Sequence, residues 1–267
     1  MSTATYLTGL FGLEGKRALV TGAAGGIGRA TSRGLAAAGA EVLLVDIPQA
    51  AERLNELASE LSSEFGRTVS TALADVTDEA QVEAAIAHAV SELGGLDIVH
   101  SNAGIISGSK RDEDIDYGAW KHNLDVNLNG MFLVGRASAR AMIAQGTGGA
   151  IINTASMSGM IINTAFGESS GSAYPSAKAG VIQLTKAQAS LWVKHGIRVN
   201  AVSPGYIASG IHQGMPQETL DAFTASVPMR RFGTVDEVVG AVLYLASPAA
   251  SYVTGSNLVV DGGYVIW

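Results

Sequence analysis

Tyr174 and Lys178 are the pair of residues in this sequence whose types and spacing best suit proton transfer. A separation of four residues puts both side chains on one face of a helix. A free phenol has a pKa of about 10 and is a poor base near neutrality. A lysine charge ~4 Å away, at an effective dielectric of ~20, is worth roughly 4 kcal/mol and could lower that pKa by about 3. The phenol would then titrate near working pH, where general acid–base catalysis is most effective.

Ser156 and Asn127 are polar residues that could assist the same chemistry. Ser156 follows the apolar run at 150–154, and its hydroxyl could donate to an oxygen that gains charge. Ser158 is a rival hydroxyl, and Ser156 is preferred because it follows the run most closely. Asn127 falls in a helical stretch, where its propensity is poor. Taken singly, each residue has a plainer interpretation: a surface pair on a helix, a strand-end serine, or an asparagine that caps or bends its helix.

A glycine-rich turn, Thr21–Gly28 (TGAAGGIG), follows the first apolar run and precedes a helical stretch. Gly22, Gly26 and Gly28 would permit a tight turn, close approach of backbone amides to a pyrophosphate, and close packing of helix on strand. The N-terminus of the helix favours a bound phosphate. Such turns are common after strands, and the acidic residue downstream is what makes a dinucleotide site the better interpretation.

That acidic residue is Asp46, which ends the second apolar run 18 residues after Gly28. A carboxylate at this point can accept hydrogen bonds from the adenosine ribose hydroxyls, and it would repel a 2′-phosphate. Neither the glycine-rich turn before Gly28 nor Ile47 and Pro48 offers a basic side chain. The pattern predicts NAD rather than NADP as the cofactor. A helix-capping or turn role is the alternative for Asp46.

Apolar runs alternate with amphipathic helical stretches along the chain. We predict strands at 16–21, 41–45, 68–74, 96–100, 150–154, 198–202 and 258–260, and helices at 27–38, 50–65, 79–93, 116–145, 176–195 and 235–245. The strands are continuously apolar, which is typical of a parallel sheet buried on both faces. The predicted fold is α/β: a single-domain, Rossmann-type, doubly wound parallel sheet of about seven strands flanked by helices. Residues 1–13 form an N-terminal extension, and 206–229, without a clear strand, form a substrate lid.

Taken in order, these motifs resemble those of the short-chain dehydrogenase/reductase family over nearly the whole chain. The resemblance rests on the glycine-rich turn, Asp75-Val76, Asn102-Ala103-Gly104, Asn127, Ser156, the YPSAK segment at 174–178, Pro204-Gly205 and Asp261-Gly262-Gly263. It implies a catalytic tetrad of Asn127, Ser156, Tyr174 and Lys178. The lysine would also bind the nicotinamide ribose, and the asparagine would hold a water that links the lysine to solvent.

The resemblance also implies which residues contact the cofactor. Asp75 and Val76 would hold the adenine, and the segment 102–104 would lie along the cofactor. The implied set is Gly22, Gly26, Ile27, Gly28, Asp46, Asp75, Val76, Asn102, Ala103, Gly104, Tyr174, Lys178, Pro204, Gly205 and Ile207, of which the last three contact the nicotinamide side.

The implied reaction is NAD(H)-dependent interconversion of a secondary alcohol and a ketone. Stretches 154–159, 247–255 and 260–267 are most similar to the sugar-alcohol branch of the family, which includes galactitol-type dehydrogenases, so a polyol is the expected substrate. Apolar residues expected at the pocket favour instead a cyclic, aryl or aliphatic alcohol; they are Ile105, Ile106, Met157, Ile161, Ile162 and Phe166. Polar contacts could come from Glu168, Ser169, Ser170 and His212.

The spacing of the tetrad departs from the family in one place. Seventeen residues separate Ser156 from Tyr174, more than the family usually has. The extra residues should lie in 160–171, and we expect this loop to border the substrate pocket.

Composition excludes several other classes. The net charge of −7 and pI near 5.2 leave no basic surface for nucleic acid, and no apolar run is long enough to span a membrane. The absence of cysteine excludes disulfides, thiolate zinc sites and cysteine nucleophiles. The five histidines are scattered, which argues against a zinc alcohol dehydrogenase. A non-catalytic NAD-binding protein is disfavoured because all four tetrad residues are present.

Further expectations concern the setting of the protein. With 47% hydrophobic and only 15% charged residues, the chain is expected to form a homo-oligomer, and the family implies a homotetramer. Trp267 should then pack near a neighbouring subunit. The N-terminus is a poor signal peptide, so we expect a cytoplasmic protein whose partner is a small alcohol or ketone. No dedicated metal site is predicted, and a structural magnesium near the C-terminus is a minor alternative.

Overall fold

The structure is a computed structural model that describes residues 3–106, 112–163, 171–210 and 214–266. Within these ranges, seven parallel strands form a sheet in the order β3-β2-β1-β4-β5-β6-β7. The strands are β1 (Arg17–Thr21), β2 (Glu41–Asp46), β3 (Val69–Leu73), β4 (Ile98–Ser101), β5 (Gly149–Thr154), β6 (Ile197–Pro204) and β7 (Asn257–Val260). The predicted doubly wound parallel sheet is confirmed.

Helices cover both faces of the sheet. They are α1 (Thr3–Phe11), α2 (Gly26–Ala37), α3 (Ala51–Phe65), α4 (Glu79–Leu93), α5 (Tyr117–Leu124), α6 (Gly130–Gln145), α7 (Ala173–Trp192), α8 (Gln217–Ser226) and α9 (Val235–Ala246). Side chains of α2, α3 and α9 pack on one face, and those of α4, α6 and α7 pack on the other. None of the helices within the described ranges is long and apolar enough to cross a membrane.

Alternation along the strands divides the core between the two faces. In β4, Val99 packs with α4 and α6, while Ile98 packs with α2 and α9. Both faces are buried, and this explains why the strands are continuously apolar rather than alternating in sequence. Since His100 follows Val99 by one residue, its side chain lies on the same face as α2.

The strand order reverses between β1 and β4, which are hydrogen-bonded neighbours although β2 and β3 separate them in sequence. In sheets of this kind, ligands bind at the carboxyl ends of the strands beside the reversal. The turn after β1, the segment after β4, Ser156 after β5 and Gly205 after β6 all leave the sheet at that edge.

The predicted helix at 116–145 is present, but a π-helical turn interrupts its regular α-helical geometry at the centre. Helix α5 ends at Leu124, a π-helical turn spans Asp125–Asn129, and α6 begins at Gly130. The Asn127 side chain donates to the main-chain oxygen of Asn123 at 3.1 Å and to its side-chain oxygen at 3.0 Å. These side-chain bonds compete with the regular helical ladder, and periodicity alone does not report them.

Three other helical features depart from the predictions. The N-terminal extension contains α1, and the segment 206–229 contains α8. The helix predicted from 176 begins at Ala173, so Tyr174 lies within its first turn. The family spacing of Tyr174 and Lys178 is therefore a true helical i, i+4 relationship.

Candidate active site

The glycine-rich turn has the backbone that a pyrophosphate site needs. Gly22 has a φ of +65°, and a Cβ built on it would lie 2.9 Å from the Ala103 Cα. Gly25 precedes α2 without any side-chain hydrogen bond to cap the helix. The first amides of α2 therefore have no side-chain acceptor at this cap and are available to an anion. A Cβ on Gly26 or Gly28 would collide with the backbone of Ser209 or Gly22, so both positions require close approach.

Asp46 lies at the carboxyl end of β2 and supports the same turn. Its Oδ2 accepts from the Ala24 amide at 2.9 Å, and its Oδ1 accepts from the Ile47 amide at 2.8 Å. An ionised carboxylate has about four lone-pair positions, so two backbone bonds leave capacity for ribose hydroxyls. Asp46 thus has the turn role that was the alternative from sequence, and this role fixes its carboxylate beside the glycine-rich turn.

The other predicted cofactor contacts follow the strands next to the turn. Asp75 and Val76 follow β3, where Asp75 Oδ1 accepts from the Thr77 amide at 2.9 Å and Val76 is buried against Gly130. At the opposite side of the reversal, the Gly205 amide donates to the main-chain oxygen of Val260 at 2.9 Å. Pro204 ends β6, and Ile207 is a core residue with 4% exposure whose backbone bridges to Gly233.

Asn102 links the segment after β4 to the glycine-rich turn. Its Nδ2 donates to the main-chain oxygen of Thr21 at 3.1 Å, and its own amide donates to Thr21 Oγ1 at 2.9 Å. The Ala103 amide also donates to Thr21 Oγ1, at 3.1 Å. Ile27, at the start of α2, packs partly buried against the core. These contacts hold the turn and the predicted cofactor-lining segment as one unit.

Ser156 and Tyr174 are brought together by the fold despite the 17 residues between them. The Ser156 hydroxyl forms a hydrogen bond with the phenol, which lowers the pKa of Tyr174, but burial has the larger effect and raises that pKa overall. The Ser158 amide donates to Ser156 Oγ at 3.1 Å. Of the two candidate serines, Ser156 is therefore the one oriented at the phenol, with Ser158 behind it.

Lys178 is buried at 2% exposure, one helical turn after Tyr174. Its Nζ donates to the main-chain oxygen of Thr154 at 2.8 Å and lies 5.7 Å from the centroid of the Tyr174 ring. Burial lowers the pKa of Lys178 from 10.5 to about 7. At neutral pH, the Lys178 amine is therefore protonated in about half of the molecules.

The pKa of Tyr174 differs from the expectation based on the lysine charge. In the protein alone, its pKa is raised, because loss of hydration at the phenol outweighs the hydrogen bond from Ser156. The same loss of hydration discharges Lys178, and a lysine that is only partly charged attracts a phenolate less. The i, i+4 spacing predicted that the two side chains are neighbours, but it could not predict that both are desolvated.

Asn127 lies in the π-helical turn, and both polar atoms of its side chain are hydrogen-bonded. Its Oδ1 accepts from the Ile105 amide at 3.1 Å, and its Nδ2 donates to the Ile105 oxygen at 2.9 Å. A Cβ on Gly104 would lie 2.8 Å from Asn127 Oδ1 and 3.5 Å from Lys178 Nζ. Gly104 therefore stands between the asparagine and the lysine and keeps the space between them open.

A cluster of aromatic and polar residues borders this centre and was not singled out from sequence. The Tyr206 hydroxyl donates to Asn163 Oδ1 at 2.5 Å, and Tyr264 approaches the same oxygen at 3.4 Å. Tyr206 stacks on Phe223 of α8 with ring centroids 4.8 Å apart. Polar residues inside an otherwise apolar segment were the available signal.

The residues expected at the substrate pocket take different positions. Met157 is buried in the aromatic cluster, Ile105 and Ile161 are partly buried, and Ile106 and Ile162 are exposed. Phe166, Glu168, Ser169, Ser170, His212 and Trp267 lie outside the described residues. Across the described ranges, no group of three or more histidine, aspartate or glutamate side chains could hold a metal ion.

A parallel sheet with a glycine-rich turn at its point of reversal, together with a half-buried tyrosine one helical turn from a buried lysine, defines a nucleotide-dependent oxidoreductase. Residues 22–265 match the model of a family described as enoyl-(acyl carrier protein) reductase. The chain belongs to the short-chain dehydrogenase/reductase family and is an alcohol dehydrogenase of that type. The family resemblance inferred from the motifs is confirmed.

Three similar proteins cover almost the whole chain. A galactitol 2-dehydrogenase (L-tagatose-forming) from Cereibacter sphaeroides is 42% identical over 97% of this chain and 98% of its own. A cis-4-hydroxycyclohexanecarboxylate dehydrogenase from Sinomonas cyclohexanicum is 40% identical over 92% and 95%. The crystal structure of a gluconate 5-dehydrogenase from Burkholderia cenocepacia J2315, in complex with NADP and tartrate, has a TM-score of 0.89 and 35% identity and covers 97% of this chain and 98% of that chain. Similarity to the sugar-alcohol branch is confirmed.

Proposed function

We propose that this protein is an NAD(H)-dependent dehydrogenase that interconverts a polyol and a ketose at one secondary carbon. The observation that carries the proposal is the grouping of buried Ser156 and Lys178 with half-buried Tyr174 at the carboxyl end of β5. Bound NAD would supply the acceptor for the hydride that leaves the carbinol carbon. The protein itself must bind the alcohol and remove its hydroxyl proton.

Tyr174 is the proposed acid/base. In the direction of oxidation, the phenolate takes the proton from the substrate hydroxyl as the carbon–oxygen bond becomes a carbonyl. In the direction of reduction, the neutral phenol returns a proton to the carbonyl oxygen. Ser156 is hydrogen-bonded to the phenol, which supports the proposal that it donates to the same substrate oxygen as the charge on that oxygen grows.

Lys178 and Asn127 would supply the charge and the path that this proton transfer needs. Lys178 titrates at a pKa of about 7, so it can accept or release a proton at working pH. Asn127 holds the Ile105 backbone in place across Gly104 from the ammonium. We propose that the cofactor ribose and a water bind in this region and connect the lysine to solvent.

We propose NAD rather than NADP because of Asp46. Its carboxylate is fixed by two backbone amides at the end of β2, so it cannot swing away from a ribose bound there without breaking them. A 2′-phosphate at this place would meet a negative charge at close range. The remaining proposed contacts, from Asp75 and Val76 to Pro204, Gly205 and Ile207, are common to both nucleotides.

A polyol is proposed as the substrate because the galactitol 2-dehydrogenase is 42% identical over nearly the full length. A polyol needs hydrogen-bonding partners besides the tetrad. Tyr206 packs in one cluster with Met157, the residue that follows Ser156, and is hydrogen-bonded to Asn163. We propose that α8 and the rest of 206–229 cover the substrate as a lid, since Phe223 of α8 stacks on Tyr206.

An apolar cyclic alcohol is the second candidate. Ile106 and Ile162 are 58% and 68% exposed, and exposed isoleucines near a site favour an apolar ligand. The 40% identity to a cis-4-hydroxycyclohexanecarboxylate dehydrogenase supports the same candidate. Both candidates use the same acid/base chemistry and differ only in what surrounds the carbinol.

A substrate panel separates the two candidates. Galactitol and shorter polyols are compared with cyclohexanol and hydroxycyclohexanecarboxylates, each with NAD and with NADP, and nicotinamide reduction is followed by absorbance. We expect the highest kcat/KM with a polyol and NAD. Faster turnover of the cyclic alcohols would show that the substrate is a cyclic alcohol and not a polyol. A preference for NADP would overturn the proposed role of Asp46. No turnover of any alcohol would refute the proposed reaction.

We also propose a homotetramer built on α6 and α7. Phe132 on α6 and Leu191 on α7 are 43% and 62% exposed, and the chain has only 15% charged residues to keep such faces in water. Analytical ultracentrifugation should give four times the chain mass, and Leu191→Lys should lower that mass. A monomer at micromolar concentration would contradict the proposal.

A further inference from the structure

His100 is a buried polar residue that neither the motifs nor the proposed reaction uses. It lies in β4 at 0% exposure and is paired in register with Val20 of β1 and Ile152 of β5. An imidazole in the middle of a parallel sheet must satisfy both ring nitrogens internally. Burial lowers its pKa from 6.5 to about 3, so the ring is neutral at working pH.

Both ring nitrogens have hydroxyl partners on neighbouring elements. Nδ1 lies 3.0 Å from Thr31 Oγ1 of α2, and Nε2 lies 2.9 Å from Thr154 Oγ1 of β5. A neutral imidazole carries one proton, so one nitrogen donates and the other accepts. The Thr31 hydroxyl also lies 3.0 Å and 3.1 Å from the main-chain oxygens of Ile27 and Gly28 in α2, and the Gly28 oxygen already accepts from Ser32 Oγ at 2.8 Å. These helical carbonyls accept from other donors and do not require the Thr31 proton. The partners of Thr154 therefore decide which ring nitrogen holds the proton.

Thr154 can donate only one hydrogen bond, and Asn102 requires it. Thr154 Oγ1 lies 3.2 Å from Asn102 Oδ1, an oxygen that only accepts. The Asn102 amide cannot be turned over, because its Nδ2 donates to the main-chain oxygen of Thr21 at 3.1 Å. Thr154 therefore donates to Asn102 and must accept from His100, which places the proton of the ring on Nε2.

A one-way chain of hydrogen bonds results, from Thr31 through His100, Thr154 and Asn102 to the Thr21 backbone. Its far end lies inside the glycine-rich turn, since a Cβ on Gly22 or Gly28 would lie only 3.1 Å or 2.8 Å from Asn102 Nδ2. Thr154 is also the residue whose main-chain oxygen holds Lys178 Nζ. One residue thus joins the dinucleotide turn to the lysine.

We propose that His100, as its neutral Nε2–H tautomer, is a positioning residue that fixes the Asn102 amide in the dinucleotide turn through Thr154. This inference rests on the proposed NAD-dependent function. With the other tautomer, Thr154 would donate to the ring, and two oxygens would face each other 3.2 Å apart without a proton. The turn would then lose the amide that holds its carbonyls.

The tautomer is tested first, on the wild-type protein and without any substrate. Long-range ¹H–¹⁵N correlation spectra of protein labelled at histidine should show the proton of His100 on Nε2 at neutral pH. His100→Gln, which removes this ring, identifies its signals. A proton on Nδ1 would overturn the proposal whatever the enzymatic activity of the protein.

Two amide variants then separate the two ends of the ring. His100→Gln can still donate to Thr154, whereas the shorter His100→Asn can reach only toward Thr31. By calorimetry, we expect NADH to bind His100→Gln within about threefold of wild type and His100→Asn about tenfold more weakly, as for one lost buried hydrogen bond. Equal affinities of the two variants would overturn the proposal.

A matched control separates positioning from stability. Val99→Ala removes buried volume from the same strand on the opposite face, and it should lower the melting temperature without weakening NADH binding. Weaker NADH binding by Val99→Ala that equals the loss in His100→Asn would also overturn the proposal. If no alcohol is oxidised but the Nε2–H tautomer and the graded affinities are found, the proposed reaction fails and the role of His100 stands.

Discussion

Lys178 Nζ donates to the main-chain oxygen of Thr154 at 2.8 Å, so the ammonium is anchored to β5. The same strand end leads to Ser156, which is hydrogen-bonded to the phenol of Tyr174. One strand therefore sets the distance between the serine and the lysine, and α7 sets the distance between the lysine and the tyrosine. Both elements are packed in the core, so the fold itself sets the arrangement of these three side chains.

Lys178→Met should make the free energy of unfolding depend less on pH, and it should abolish efficient catalysis. The pKa of Lys178 is lowered in the fold from 10.5 to about 7, so the unfolded chain binds its proton more readily. Burying the charged lysine therefore lowers the free energy of unfolding by its full amount below about pH 7. This destabilisation disappears as the pH rises from 7 toward 10.5.

Denaturant unfolding of wild type and Lys178→Met at pH 6 and pH 10 measures this effect. The unfolding free energy of the variant minus that of wild type should be larger at pH 6 than at pH 10, by up to about 5 kcal/mol. Lys186→Met, an exposed change on the same helix, serves as the control. An equal difference between wild type and Lys178→Met at both pH values would mean that the lysine is not desolvated.

Oxidation and reduction should respond to pH in opposite ways. Burial raises the pKa of Tyr174, so the phenolate that oxidation needs becomes more abundant as the pH rises, whereas reduction needs the neutral phenol. Initial rates at saturating substrate, measured in both directions across pH 6 to 10.5, should rise with pH for alcohol oxidation and fall for ketone reduction. Parallel profiles in the two directions would exclude Tyr174 as the group that titrates.

Asp46→Asn should shift nucleotide preference toward NADP. The substitution removes the charge that repels a 2′-phosphate and keeps an oxygen for one of the two backbone amides. We expect the NADP/NAD ratio of kcat/KM to rise about tenfold, as for the loss of ~1.4 kcal/mol of repulsion. Asp236→Asn, an exposed change in α9, should leave the ratio unaltered. An unchanged ratio in Asp46→Asn would remove the basis for NAD selection.

His100→Gln should remove part of the acid sensitivity of the fold. The folded pKa of His100 is about 3 against 6.5 for a free histidine, so wild type loses stability as the pH falls from 6.5 toward 3. Over this range, the unfolding free energy of the variant should gain on wild type by up to about 5 kcal/mol. His122→Gln, an exposed change, should show no such gain. A constant difference for His100→Gln would indicate a ring that ionises freely.

The sheet could be predicted from the sequence because it depends on local patterns. Continuous apolar runs such as 41–45 and 150–154 are buried on both faces, and the glycine-rich turn marks the first crossover. The tetrad could be proposed because Tyr174 and Lys178 are close in sequence and the remaining members belong to family motifs. Local pattern and family resemblance were sufficient for these features.

The electrostatics and the polar connections could not be predicted in the same way. The bonds of His100 join residues 69 and 54 positions apart, and the pKa values of Tyr174 and Lys178 depend on burial by distant elements. The π-helical turn contains a side-chain bond between Asn123 and Asn127 that helical periodicity does not report. The bonds of His100 and the two pKa values follow from contacts between distant parts of the chain, whereas the Asn123–Asn127 bond is local.

The turnover of Tyr174→Phe with NAD and the best alcohol of the panel, measured together with NADH affinity, tests whether the phenol exchanges the proton. The phenyl ring keeps the volume beside Ser156 and removes only the hydroxyl that exchanges the proton. We predict that kcat falls by about 10²- to 10⁴-fold while the Kd for NADH stays within a factor of about two. Turnover close to that of wild type would show that a group other than Tyr174 accepts the proton.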